Sequence, residues 1–211
     1  VGYGGSPDYL NGTLKPATIW DPSRYLNIWI SDFQSGILGI ATFPTGSGLS
    51  DLGSGENNNT AGVSISYISV GSLFTPQACN AYGKGRTLTH ELGHFFGLRH
   101  IWGDSDCGND YCNDTPIHFE DNSGVPTHPK PNSCGTADEM FENYMDYADD
   151  VVSNTFTSNQ ADRMEAVVAN SPRRKTLGSS TVTKVPVTGS NRISFNDCKN
   201  SISISEKANA G

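Results

Sequence analysis

Charge is scarce in this 211-residue chain and mostly of one sign: 17% of residues are charged, with 14 basic against 22 acidic, for a formal net charge of -8. Such a surface repels a phosphate backbone, and no basic run exceeds Arg173-Arg174-Lys175, so nucleic acid is not an expected partner. Long apolar runs are also missing. Every apolar stretch falls far short of the roughly 20 residues that span a bilayer, so no transmembrane helix and no membrane association are expected. The start, Val1-Gly2-Tyr3-Gly4-Gly5, has neither the basic opening nor the apolar run of a signal peptide, and any such signal is expected to have been removed. No Cys-x-x-Cys pair occurs, which argues against a zinc ribbon or a redox motif. Internal repeats and heptads are absent as well.

What is present suits one substantial domain or two small lobes, with 35% hydrophobic residues for an ordinary core, folding alone and acting as a monomer. The five cysteines, Cys79, Cys107, Cys112, Cys134 and Cys198, together with 23 glycines and Asn/Asp/Ser/Thr-rich loops, favour disulfides and an extracellular or periplasmic setting. An odd count leaves at least one thiol over.

Residues 25–30, 39–43 and 62–70 read as strands, the last by its alternation of apolar and small polar side chains. A Gly/Ser/Asn-rich stretch separates the last two. Over 86–96 the period becomes helical. Placing His90 at 0° and stepping about 100° per residue sets His94 at about 40° and Glu91 at about 100°, with Leu88, Leu92, Phe95 and Phe96 between about 140° and 240°. One face is chemical and the other belongs to a core. Gly97 lies where a helix end favours a left-handed residue, so the chain turns there and sends His100 back toward the helix. Residues 103–131, rich in Asp, Asn, Gly and Pro, read as a long loop held by something other than a core. A second helix over 157–168 opens at a capping Thr157 and ends before Pro172.

His90-Glu91-Leu92-Gly93-His94-Phe95-Phe96-Gly97-Leu98-Arg99-His100 holds the chemistry. Two histidines four apart project from adjacent helical turns to one point, and a third returns after the glycine turn. This supplies the three ligands of a catalytic zinc whose fourth position stays open to water. Glu91 is close enough on the wheel to act on that water as general base without being a ligand. The pattern implies hydrolysis of an amide bond by metal-activated water, with no covalent acyl-enzyme. Intact Glu91 speaks against a binding module that keeps zinc for stability alone.

The full pattern resembles the metzincin clan of metallopeptidases, whose second hallmark is a methionine turn beneath the zinc. Glu142-Asn143-Tyr144-Met145-Asp146-Tyr147 supplies one. With His100-Ile101-Trp102-Gly103-Asp104 and Asn113-Asp114-Thr115-Pro116, it looks like the pappalysin family, over about residues 4–178. The resemblance implies an α+β catalytic domain over 1–178, followed by an extension of unknown role over 179–211. An upper lobe (1–97) would pack a twisted β-sheet on the zinc-binding helix. A lower, irregular lobe (98–178) would hold the Met-turn and a C-terminal helix. Further upper-lobe elements ahead of the three strands are implied too, so the chain is expected to be a processed or shortened catalytic piece.

By position, Met145 would floor the imidazoles and Tyr147 would stand beside the metal, its hydroxyl aimed at the oxyanion. Cys112 and Cys134 match one disulfide of the family, while Val125 and Val152 replace the other. Calcium is implied in the loop of Asp104, Asp106, Asn109, Asp110, Asp114 and Thr115, which offers hard oxygen ligands. A preference for Lys or Arg after the scissile bond is implied through Asp149 or Asp150, with Val151 at the position nearest the pocket. Protein or peptide substrates and secretion follow from the same likeness.

Overall fold

A computed structural model describes residues 6–33, 36–49, 51–52, 55–71 and 81–182, together with the backbone of 192–195 and 202–205. It opens with a helical segment that the alternation of residues does not reveal: α1 (Pro7–Tyr9), a π turn (Leu10–Leu14) and α2 (Lys15–Thr18). Ser6 caps its start by accepting the Tyr9 N–H at 3.2 Å. Pro16 has no N–H to give and its ring crowds the carbonyl four residues back, so the segment widens to the π turn just before it.

Three short strands follow, β1 (Ile28–Ser31), β2 (Gly39–Ala41) and β3 (Val63–Ser66), in the order β1-β3-β2. β1 runs parallel to β3, with Ile28 opposite Val63, and β2 runs antiparallel to it, with Gly39 opposite Ile65. Each strand is shorter than its sequence alternation, for local reasons. Before β1, the Asn27 side chain closes a loop by bonding both the N–H and the C=O of Trp20 at 2.9 Å. After β3, the Ser69 hydroxyl donates to Ser66 O at 2.9 Å and folds the chain into a 3-10 turn (Tyr67–Ser69). β3 is buried along its whole length, and Val63 and Ile65 form a core with Phe95, against which Leu88, Leu92 and Phe96 also pack. The apolar stripe of the motif helix thus covers the sheet.

That helix is α3 (Arg86–Phe95). Gly97, at φ +89°, turns the chain after it, and Leu98 N–H reaches back to Gly93 O at 2.9 Å. A helix leaves its last carbonyls without partners, and here two arginines supply donors. Arg174 Nε donates to Phe95 O at 3.1 Å, and Arg163 Nε to Gly97 O at 2.7 Å. Arg163 comes from α4 (Ser158–Asn170), whose start is a reciprocal cap. Thr157 Oγ1 accepts Gln160 N–H at 3.2 Å, while Gln160 Oε1 accepts Thr157 N–H at 3.0 Å.

From 98 to 157 the chain forms no helix or strand apart from one bridge between Asn143 and Thr155. A second core, of Leu98, Ile101, Trp102 and Met145, lies under this irregular stretch. The disulfide joins Cys107, not Cys112, to Cys134, with 5.6 Å between the Cα atoms. The segment 117–119 gathers the bonded pair: Cys107 N–H bonds Phe119 O, and Thr136 Oγ1 bonds Ile117 O. Cys112 belongs to a turn facing the other way, where Asn113 N–H meets the Asn159 side chain of α4 at 3.1 Å. It is a buried free thiol, pushed up to about 12 by burial and, after it, by the charge of Asp110. Cys79 and Cys198 lie outside the described residues. In the tail, β4 (Arg192–Phe195) pairs antiparallel with β5 (Ile202–Ser205), Ile193 opposite Ile204. No helix among the described residues is long and apolar enough to cross a membrane.

Candidate metal and catalytic site

α3 presents His90 and His94 from adjacent turns, and the Gly97 turn brings His100 to them. The Nε2 atoms of His90 and His94 are 3.1 Å apart, and those of His94 and His100 are 3.0 Å apart. The opposite edge of each ring is committed. His90 Nδ1–H donates to Tyr144 O at 2.7 Å, His94 Nδ1–H to Leu98 O at 2.8 Å, and His100 Nδ1 meets Asp104 Oδ1 in a short contact. A carbonyl can only accept, so the first two rings carry their proton on Nδ1 and turn a lone pair inward from Nε2. Converging lone pairs repel one another unless a cation sits between them. Nitrogens held 2.0–2.1 Å from one tetrahedral ion stand about 3.3 Å apart, close to the spacing here. The three residues therefore fit a zinc ion, and among the described residues they are the one His/Cys/Asp/Glu group gathered tightly enough for a metal. Burial, and then the neighbouring imidazoles, hold His90 well below its ordinary value, and likewise bring His94 to about 3, so both stay neutral as ligands.

The supports around the rings come from both halves of the molecule. Met145 is fully buried and lies against Gly93, between the two helical histidines. A Cβ at Gly93 would come within 2.3 Å of its sulfur, so only glycine lets the turn approach the helix this closely. The turn itself is set by Asn143, whose Oδ1 accepts Met145 N–H at 2.9 Å, and by Ile101 N–H bonding Met145 O at 3.1 Å. Trp102 stacks on His100 with centroids 4.2 Å apart. Tyr147, 42% exposed, places its hydroxyl 3.0 Å from His100 Nε2. Burial, and after it the charge of Glu91, push this phenol up to about 12, so it keeps its proton and can donate.

Glu91 is buried on the same face, and burial raises its carboxyl to about 8 against the pull of the Lys15 ammonium. Lys15 comes from α2 and is itself buried, 5.3 Å over the Trp29 ring, with burial lowering it to about 8. Nothing in the spacing of the sequence marks this lysine, because it reaches the site only through packing of a helix nearly eighty residues upstream. Beside His90 and Glu91 opens a cavity of about 430 Å3, bounded on one side by residues 36–39 and on the other by Tyr144, Tyr147, Asp150 and Ser153.

The remaining sequence candidates are distributed differently from the expectation. Asp104, expected on calcium, is engaged by His100 and by Arg99 Nη2 at 3.0 Å, and the His100 hydrogen bond helps hold it down at about 2. It orients a ring of the metal site. Asp114 accepts Asn159 N–H at 2.9 Å in the first turn of α4. Of Asp104, Asp110, Asp114 and Thr115, only Asp110 and Thr115 meet, at 3.0 Å, so these do not converge on one cluster. Of the three pocket candidates, Asp150 lines the cavity, but its Oδ2 is taken by the N–H groups of Lys84 (2.7 Å) and Arg86 (3.1 Å), and burial raises its carboxyl. Asp149 and Val151 are not part of the wall; Val151 points to solvent.

Comparison with known proteins gives a consistent result. Residues 11–169 match the model of the peptidase M43 family, described as pregnancy-associated plasma protein-A. An extracellular metalloprotease of Arthroderma benhamiae is 35% identical over 155 residues, covering 72% of this chain and 53% of that protein. One of Verticillium alfalfae is 36% identical over 148 residues, covering 69% and 50%. Among solved structures, Tannerella forsythia mature mirolysin in complex with a cleaved peptide is similar with a TM-score of 0.69 and 37% identity, over 82% of this chain and 64% of that one. The chain spans about half the length of the curated relatives it matches. Sheet, motif helix, glycine turn and buried methionine turn together define a metzincin-type metallopeptidase domain of the α+β class. Within that class, the chain belongs to the peptidase M43 family, the pappalysins.

Proposed function

We propose that this chain forms the catalytic part of a secreted zinc-dependent endopeptidase that acts on proteins or peptides as a monomer, with residues 1–178 as the catalytic unit and 179–211 as an appendage. The observation that carries the reading is the convergence of three Nε2 lone pairs at 3.0–3.1 Å, with Glu91 and Tyr147 beside them. Zinc held there supplies Lewis acidity and brings the pKa of a water toward about 7. With the charge of a bound zinc offsetting the burial that raises its carboxyl, Glu91 would be ionised, would take a proton from the attacking water and would later hand it to the leaving amine. The Tyr147 hydroxyl donates toward the oxygen on which negative charge develops. Asp104 and the carbonyls of Tyr144 and Leu98 keep the imidazoles oriented and in one tautomer.

Secretion is supported by relatives named extracellular metalloproteases and by the disulfide. Preference for Lys or Arg after the scissile bond is supported by the acidic cavity wall. For calcium, Asp110 and Thr115 are the candidates that stay together, and a rise in thermal midpoint on calcium addition that Asp110→Asn abolishes would test it. The deciding experiment for the whole reading is Glu91→Ala. It should keep one equivalent of zinc, measured by atomic emission, while casein cleavage falls by about 10²- to 10⁴-fold or more. Undiminished cleavage would overturn the reading.

A further inference from the structure

Tyr147 has to present its hydroxyl accurately, yet it is part exposed and stands on a stretch without helix or strand. Its ring makes edge contacts with Trp102 and His100, centroids 4.8 and 4.9 Å away. Such contacts are individually weak, so the backbone beneath the ring has to be fixed by other means. The Tyr147 N–H donates to Asp146 Oδ1 at 2.8 Å. A carboxylate keeps that geometry only if it cannot itself turn, and Asp146 is gripped on both oxygens by one residue. Asn122 N–H donates to Oδ1 at 2.7 Å, and Asn122 Nδ2 donates to Oδ2 at 2.8 Å. Both residues are buried. The same amide nitrogen donates to Glu139 Oε2 at 3.0 Å. With its donors spent on two carboxylates, Asn122 Oδ1 is left buried without a hydrogen-bond partner among the described residues. An unsatisfied buried acceptor is a cost that a side chain present for packing alone would avoid. Two further contacts close the arrangement. His118 Nδ1 lies 3.4 Å from Asp146 Oδ2, and Asp149 N–H donates to Gly124 O at 2.8 Å, so 118–124 and 146–149 run side by side.

Resting on the peptidase reading above, we propose that Asn122 is a positioning residue for the hydrolysis: it locks the Asp146 carboxylate and, through it, the backbone from which Tyr147 aims its hydroxyl. Asn122 is not part of the cavity wall, which takes Asp121 and Ser123 from the same segment. It acts on the reaction only through Asp146. Because Tyr147 answers charge that appears in the transition state, the hold on it should show in kcat and not in KM.

Asn122→Ala should keep one equivalent of zinc and an unchanged KM for a fluorogenic peptide while kcat falls ~10²-fold, the scale of a misplaced catalytic group. Asn132→Ala is the comparison. It removes the 2.7 Å donor to Glu139 Oε1 in the same network and leaves Asp146 alone, so it should lower stability without lowering kcat. Equal falls in kcat would make Asn122 a structural residue and overturn the proposal. Amide exchange in the zinc-free chains tests the clamp apart from turnover. Asn122 N–H and Tyr147 N–H share Asp146 Oδ1, so in the unsubstituted chain their protection factors should agree within ~10-fold, and Asn122→Ala should lower that of Tyr147 by ~10-fold or more. Protection factors further apart than that, or a Tyr147 N–H unaffected by Asn122→Ala, overturn it as well. The comparison of the two amides in the unsubstituted chain decides even where Asn122→Ala does not fold. If the zinc-loaded unsubstituted chain cleaves no peptide, the peptidase reading fails, and the exchange data alone decide whether Asn122 holds Tyr147.

Discussion

The two histidines of α3 and the third histidine beyond Gly97 reach one point by different physics. Up to Gly97 the chain positions its groups by regular backbone: a three-stranded sheet, a ten-residue helix, and an apolar stripe that fixes the helix's rotation on the sheet. From 98 to 157 there is no such frame, and side chains bonding to backbone do the positioning. Asn143 holds Met145, Asp104 holds His100, Asp146 holds Asn122 and Tyr147, and the Cys107–Cys134 bond closes the loop. A periodic frame spreads its stability over many weak contacts, whereas the irregular half concentrates it in a few buried polar groups. The two halves should therefore fail differently when perturbed.

The largest effect is expected where the halves are joined. Arg174 is fully buried, ion-paired to the equally buried Glu56, stacked 3.3 Å over the Phe95 ring and bonded to Phe95 O at the end of α3. Arg174→Leu leaves the buried Glu56 carboxylate with only the more distant Arg173 Nη1, 3.7 Å from its Oε1, and a helix carbonyl without its donor. A loss of about 3 kcal/mol in urea unfolding is expected. Adding Glu56→Gln should restore part of it, because the weakly paired charge is then gone. A double variant no more stable than the single one would show that Arg174 acts through the Phe95 contacts alone.

A smaller loss, confined to the irregular half, is expected from acid. Burial tends to raise the Glu139 carboxyl, but hydrogen bonds from Asn132, Asn122 and Phe119 N–H, with the Lys130 ammonium, hold it at about 2. A carboxyl depressed below its ordinary value of 4.5 stabilises the fold at every pH above that value. The contribution is lost as pH falls from about 4.5 toward 2. Glu139→Gln should cost about 1–3 kcal/mol at neutral pH and flatten the fall of thermal midpoint over that window. The companion residue His118 accepts Met140 N–H on Nε2, so its Nδ1–H faces Asp146. Near-ultraviolet dichroism of Tyr147 and Trp102 should change before the far-ultraviolet signal of α3 and α4. Coincident loss of both signals would remove the distinction between the halves.

The same contrast explains how much of the molecule could be read from the chain alone. α3, the Gly97 turn and the three histidines are legible because helical geometry ties spacing directly to direction, and α4 because a capping Thr157 opens an amphipathic pattern that stops before Pro172. The methionine turn was legible only through a family pattern. Asp104 looked like a calcium ligand because an acidic loop does not say where its carboxylates point; its role on His100 depends on the φ of +63° that turns it back. The family pattern points to Cys112 as the partner of Cys134, but the irregular loop carries Cys107 there instead. Lys15 has no sequence signal at all. It reaches the site through a fold-level approach of segments far apart in the chain.

The smallest effect probes the seam between regular and irregular structure at α4. Thr157 and Gln160 cap each other, and Gln160 also exchanges hydrogen bonds with Asn143, Nδ2 to Oε1 at 2.8 Å and Nε2 to Oδ1 at 3.0 Å. The same Asn143 oxygen accepts the Met145 N–H. Thr157→Ala removes one acceptor from the helix start and should cost about 1 kcal/mol, a fall of about 2–4 °C in thermal midpoint for a domain of this size. Because Gln160 keeps its grip on Asn143, amide exchange at Met145 should stay slow in that variant. Gln160→Ala, which breaks both bonds to Asn143, should speed it while α3 amides remain protected. Equal acceleration at Met145 in both variants would mean that the methionine turn is held by the helix cap as a whole and not by the single Gln160–Asn143 pair.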